Sequence, residues 1–88
     1  MSERREEPRF PAKGEVRLRA EAAASPVVNG TLIDTSASGF RARHDRYDLS
    51  SGQVVIFEHR LAAGRARIMW TRIMGELVES GFLILPQT

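Results

Sequence analysis

Hydrophobic and polar residues alternate one by one along most of the chain, which is the period of a β-strand. The segment 15–20, EVRLRA, sets Val, Leu and Ala on one face and Glu and two Arg on the other. The segment 40–44 repeats the pattern, with Phe40, Ala42 and His44 on its apolar face. No segment has a convincing amphipathic helical period. The pattern therefore predicts six strands, at residues 15–20, 27–34, 40–44, 53–60, 66–74 and 77–85.

The predicted strands are joined by short polar or glycine-containing segments, such as LAAGR at 61–65 and GE at 75–76. Six strands with short connections favour a small antiparallel β-barrel, because closure removes the exposed edges that a short chain cannot cover. Trp70, in the middle of the fifth predicted strand, is expected to lie in the core or line the barrel.

Residues 1–13 are predicted to form an irregular, flexible arm ahead of a barrel domain that spans residues 14–88. Charge is dense through Arg9, and Pro8 and Pro11 disfavour both helix and sheet pairing. Little apolar surface in the arm is available to hold it against the barrel. We therefore expect it to be mobile alone and ordered by a ligand.

The chain of 88 residues has no cysteine, which excludes disulfides, thiolate metal sites and cysteine catalysis. Its N-terminus is too charged for a signal peptide, and no apolar run is long enough to span a membrane, so a cytoplasmic location without membrane insertion is expected. The net charge is only +2, yet Lys13 is the only lysine among 13 basic residues. Arginine presents a planar fork that matches phosphates and guanine edges.

Two motifs carry candidate binding chemistry. Asp34, Ser36 and Gly39 have the spacing D-x-S-x-x-G, and Arg5 and Arg9 have the spacing R-x-x-x-R. By itself the first motif is a turn, in which Asp and Ser bond nearby backbone N–H groups and the glycine adopts a positive φ. The same residues suit a guanine nucleotide, because guanidinium forks match O6, N7 and phosphates while a carboxylate accepts from N1–H and N2–H.

The two motifs, in this order around the first two predicted strands, resemble the PilZ domain, a bacterial receptor module for the second messenger cyclic di-GMP. The resemblance extends from Arg4 to about Leu85 and implies a six-stranded barrel with an N-terminal arginine arm. It implies that the motif residues bind cyclic di-GMP and that ordering of the arm passes the signal to an effector protein. Arg4, directly before the first motif arginine, resembles family members that bind an intercalated ligand pair. The candidate ligand-binding residues are Arg4, Arg5, Arg9, Asp34, Ser36 and Gly39.

An alternative is a PilZ-like module that no longer binds nucleotide and works only through protein contacts. An enzyme is not expected, because no G-x-S-x-G elbow accompanies Ser36 and nothing places His44 beside it. A metal site is not expected, because His44 and His59 have no carboxylate at ligand spacing. DNA or RNA binding is disfavoured by the low net charge and the unclustered aromatic residues. His44 is instead expected to pack, partly buried, against the core.

Overall fold

The computed structural model describes residues 8–21, 26–46 and 49–86, and these residues form β-strands, turns and connections without a helix. This described part of the chain contains seven strands: β1 (Phe10–Pro11), β2 (Glu15–Ala20), β3 (Val28–Thr35), β4 (Gly39–His44), β5 (Val54–His59), β6 (Ala62–Met74) and β7 (Leu77–Ile84). The all-β prediction is confirmed, and each of the six predicted strands has a counterpart among β2 to β7.

Strands β2 to β7 form a closed antiparallel barrel. Around the ring the order is β3, β2, β5, β6, β7 and β4, and the β3–β4 pairing closes it. The predicted six-stranded barrel is therefore confirmed. The short strand β1 is an addition that pairs antiparallel with the end of β3.

The barrel interior is filled by the apolar faces that alternation predicts. Phe40 stacks on Phe82 with ring centroids 4.6 Å apart, and it also contacts Phe57 at 4.8 Å. His44 is buried, and its Nε2 lies 2.8 Å from the hydroxyl oxygen of Ser80. The expectation that His44 packs into the core is confirmed, with burial more complete than predicted.

Two register shifts interrupt the alternation. One lies in β3 between Leu32 and Asp34, and the other in β6 between Ile68 and Trp70. At each, an inserted residue turns the following side chain to the opposite face of the sheet. Leu32 and Ile68 thus face the core, whereas Asp34 and Trp70, two positions later, face outward. The expectation that Trp70 lies in the core is wrong, since this residue is 36% exposed on the outer surface.

Two local predictions also differ from the structure. The segment 61–65 was expected to be a turn, but the turn lies at Arg60 and Leu61, and β6 begins at Ala62. The expectation of an unpaired arm is wrong at Pro11, which pairs opposite Asp34. The N–H of Ala12 donates to the carbonyl of Ile33 at 3.1 Å, which puts Pro11 at a position of the ladder where no N–H is required.

Candidate functional site

The arm and the D-x-S-x-x-G motif meet at the end of β3. Strand β1 pairs Phe10 with Thr35 and thereby brings Arg9 beside the first motif residue. Arg9 Nη1 donates to Asp34 Oδ1 at 3.0 Å. The Arg9 side chain is 44% exposed and that of Asp34 only 8%. Two segments that are 25 residues apart in sequence thus form one charged contact.

A second arginine, Arg41 of β4, holds the same carboxylate. The β3 bulge places Asp34 directly opposite Arg41, so both side chains point to the outer face. Arg41 Nε donates to Oδ1 at 3.1 Å and to Oδ2 at 3.0 Å, and Nη2 also bonds Oδ2. Hydrogen bonding and charge from Arg41, with a smaller contribution from Arg9, lower the pKa of Asp34 despite its burial.

The charged cluster continues across the outer surface to β6. Glu79 of β7 is buried and lies 3.9 Å from Arg41 and 3.4 Å from Arg72 of β6. The guanidinium carbon of Arg72 is 5.6 Å from the ring centroid of Trp70, within cation–π range. Arginine and carboxylate side chains thus alternate from the arm to the indole of Trp70, across β1, β3, β4, β7 and β6.

A cavity of about 300 Å³ opens beside this cluster. It has the volume of a small ligand pocket. Its lining combines the arm arginine, the motif loop and the bulged part of the β6–β7 pair: Arg9, Ser36, Ser38, Gly39, Met69, Trp70, Gly81, Phe82 and Leu83. Ser36 is held at the rim, because its N–H donates to the carbonyl of Gly39 at 2.9 Å and its hydroxyl lies 3.5 Å from the same oxygen.

Trp70 forms one wall of the cavity. Its indole covers Gly81, its cross-strand neighbour, so closely that no Cβ fits between them. It also lines a shallower depression of about 540 Å³ with Arg41, Thr71 and Arg72. A flat aromatic ring with arginines on either side is a surface on which a planar base can stack.

Gly39 plays a different structural role from the one expected. It does not adopt a positive φ, because it begins β4 in extended conformation. A side chain is excluded here because a Cβ would collide with the carbonyl oxygen of Phe82 on β7. The glycine is therefore required for β4 to approach β7, and the cavity forms where these strands meet.

The structure brings Arg9, Ser36 and Gly39 together around one cavity, with Asp34 behind them as the partner of Arg9. The predicted site residues Arg4 and Arg5 lie outside the described residues. Sequence reasoning missed Arg41 and Trp70. Arg41 follows the motif glycine by two positions, but its pairing with Asp34 depends on a bulge that alternation does not reveal.

No family model matches this chain, and no curated protein matches it at a significant level. No group of three or more His, Asp or Glu side chains in the described ranges is arranged to hold a metal ion. Within the same ranges, no helix has the length and hydrophobicity needed to cross a membrane. The geometry of the site is therefore the basis for a functional proposal.

Proposed function

We propose that this domain is a PilZ-like receptor that binds cyclic di-GMP at the cavity beside Asp34. The observation that carries the proposal is the convergence of Arg9 with Ser36 and Gly39 at one cavity, although the arm and the motif are far apart in sequence. If the turn and the charged arm had no common role, they would not be expected to lie together beside an exposed tryptophan.

The ligand offers two guanine rings and two phosphates, and the cavity wall has groups that suit each. The indole of Trp70 provides a stacking face for a guanine. Arg9 presents a guanidinium fork to the phosphates or to the O6 and N7 edge of a base. The depression on the Arg72 side of the indole gives room for the second half of the molecule.

The carboxylate of Asp34 is not free to accept from a guanine, although the sequence alone suggests that it is. Its carboxylate already accepts from two guanidinium groups, so a guanine that bonds to it must displace one of them. Arg9 is the more exposed of the two, at 44% against 32%, and makes fewer bonds to the carboxylate. We therefore propose that Arg9 exchanges Asp34 for the ligand, while Arg41 keeps the carboxylate in place.

This exchange would connect ligand binding to the arm, because Arg9 directly precedes β1. Movement of Arg9 toward a ligand changes the position of the arm and of the surface that it presents to an effector protein. Arg4 and Arg5 would add guanidinium groups from the same arm. We propose that Arg4 supports an intercalated pair of ligand molecules, with two ligands per chain falling to one in Arg4→Ala.

Isothermal titration calorimetry with cyclic di-GMP tests the proposal. Arg9→Ala and Asp34→Ala should each weaken binding by about 1–3 kcal/mol, the scale of one bidentate base contact. Arg43→Ala is the matched control, because Arg43 is an exposed arginine that does not line the cavity. GMP and the linear dinucleotide should bind more weakly than the cyclic molecule.

An absence of heat at saturating cyclic di-GMP would reject the receptor function. It would favour the alternative of a PilZ-like interaction module, in which the Arg9–Asp34 contact serves only to hold the arm against the barrel.

A further inference from the structure

A second charged surface lies on the opposite side of the barrel, centred on β5. In the ring order, β5 is three strands away from β4, so this surface faces away from the candidate nucleotide site. Ile56 stands at its centre, with Arg19 of β2 as its neighbour on one side and Arg65 of β6 on the other. We call this surface the β5 patch; its members are Arg17, Arg19, Val27, Ile56, Glu58, Ala63, Arg65 and Arg67.

The β5 patch carries an excess of positive charge. Its four arginines are opposed by Glu58, 3.9 Å from Arg17, and by the neighbouring Glu21, 2.6 Å from Arg65. All four partners in these ion pairs are about half exposed or more, so the pairs hold the side chains weakly and can open. Within the described ranges, Arg19 makes no ion pair or side-chain hydrogen bond, although it is partly buried.

An apolar groove runs between the arginines. It has a volume of about 380 Å³, and Val27, Ile56 and Ala63 contribute its hydrocarbon surface. Val27 is 53% exposed, which leaves a branched apolar side chain in water at the groove edge. An apolar centre with arginines around it is the composition of a protein-binding surface, in which buried hydrocarbon gives affinity and the charged rim selects the partner.

We propose that the β5 patch docks an acidic segment of a partner protein, with one apolar side chain of that segment in the groove and carboxylates on Arg19 and Arg65. Charge complementarity selects an acidic partner. A nucleic acid is disfavoured because Glu21 and Glu58 would repel a continuous phosphate backbone. In addition, Val27 and Ile56 offer no aromatic ring on which a base could stack. The proposal does not depend on nucleotide binding at the other face.

The test uses a short synthetic peptide with a leucine between glutamates, titrated into the ¹⁵N-labelled full chain at low salt. We expect amide shift changes centred on Arg19, Ile56 and Arg65, and weaker binding as salt is added. The counterpart with serine in place of leucine should bind at least about tenfold more weakly, because the groove then buries no hydrocarbon. A counterpart with lysines in place of the glutamates should not bind.

Charge reversal tests whether Arg19 and Arg65 bind the carboxylates of the peptide. Arg19→Glu combined with Arg65→Glu should raise the dissociation constant of the peptide by at least about tenfold. Arg43→Glu combined with Arg60→Glu makes the same charge change at two exposed arginines outside the patch and should leave binding unchanged. If the double variant does not fold, Arg19→Gln serves instead, since it removes the charge and keeps the length of the side chain.

Three outcomes would overturn the proposal. The first is an absence of shift changes with the leucine peptide at millimolar concentration. The second is equal binding by a single-stranded oligonucleotide, which would show general anion attraction. The third is a concentration-dependent shift of the same amides without any peptide, which would show that a second copy of this chain occupies the patch.

Discussion

Arg41 and Asp34 face each other across the β3–β4 pair, and Arg41 Nε lies 3.1 Å and 3.0 Å from the two carboxylate oxygens. The contact exists because the β3 bulge turns Asp34 away from the core, onto the face where Arg41 points. It fixes the carboxylate whichever partner Arg9 takes. Arg41 is therefore the structural support of the candidate site, and Arg9 its exchangeable member.

We predict that Arg41→Ala lowers the free energy of unfolding by about 1–3 kcal/mol at neutral pH, because it leaves a buried carboxylate with one guanidinium partner instead of two. The pKa of Asp34 is lowered in the folded state. Its contribution to stability is therefore present above the ordinary carboxyl pKa of about 4 and is lost as the pH falls through the lower folded value. Urea unfolding measures this: the difference in unfolding free energy between wild type and Arg41→Ala should be smaller at acid pH than at pH 7.

Arg43→Ala is the control for this change, because Arg43 is an exposed arginine two positions further along the same strand. It should alter stability by less than about 0.5 kcal/mol. Equal losses in the two variants, or a gap that is independent of pH, would show that the Arg41–Asp34 contact contributes nothing specific.

Trp70 is expected to report ligand binding directly. It is the only tryptophan, and its indole is partly exposed on the cavity wall. Cyclic di-GMP should quench or shift its fluorescence, and Trp70→Ala should weaken binding by about 1–3 kcal/mol, the value of one stacked base. Trp70→Phe should retain part of the affinity. Leu61→Ala, at an exposed apolar residue in the β5–β6 turn, should change neither the fluorescence response to the ligand nor the binding affinity.

Substitutions at Gly39 and Ser36 should affect different properties: Gly39→Ala the stability of the fold and Ser36→Ala the binding of nucleotide. Gly39→Ala places a Cβ against the carbonyl of Phe82, so it should destabilise the fold by about 1–3 kcal/mol as β4 is forced from β7. Ser36→Ala removes only a hydroxyl with one long internal contact, so it should weaken nucleotide binding with little effect on unfolding. Denaturant unfolding and calorimetry on both variants test this. A Gly39→Ala protein as stable as wild type would contradict the close β4–β7 approach.

His59 should make stability depend on pH in mildly acidic solution. Its Nδ1 accepts from the N–H of Leu61 at 3.1 Å, and within the described residues its buried Nε2 has no hydrogen-bond partner. Burial lowers the pKa of His59. The folded state therefore resists protonation, and the stabilising contribution of neutral His59 is complete above the ordinary pKa of about 6.5 and is lost as the pH falls toward the folded value.

His59→Phe should flatten this dependence below the ordinary histidine pKa of about 6.5, because phenylalanine does not titrate and suits the neighbouring rings of Phe40 and Phe57. An NMR titration of the imidazole gives the pKa of His59 directly. A midpoint at or above the ordinary value would contradict the prediction.

The alternation of apolar and polar residues was sufficient to predict the six barrel strands, and in β2 and β4 also the inward faces, with the burial of Phe40, Ala42 and His44. Side-chain direction in a strand is a local property with a period of two, so it can be read wherever the strand is regular. The motif residues Arg9, Asp34, Ser36 and Gly39 could also be selected from the sequence, since their chemistry and spacing are local.

Only the tertiary structure decided which of these groups meet and which faces carry them. The bulges in β3 and β6 moved Asp34 and Trp70 to the outer surface, because an inserted residue reverses the alternation at a point that only the pairing with a neighbouring strand defines. Ring closure brought Arg41 and Glu79 into the charged cluster and put the β5 patch on the opposite side. Contacts between distant segments depend on register and closure, and these are properties of the assembled sheet rather than of any one strand.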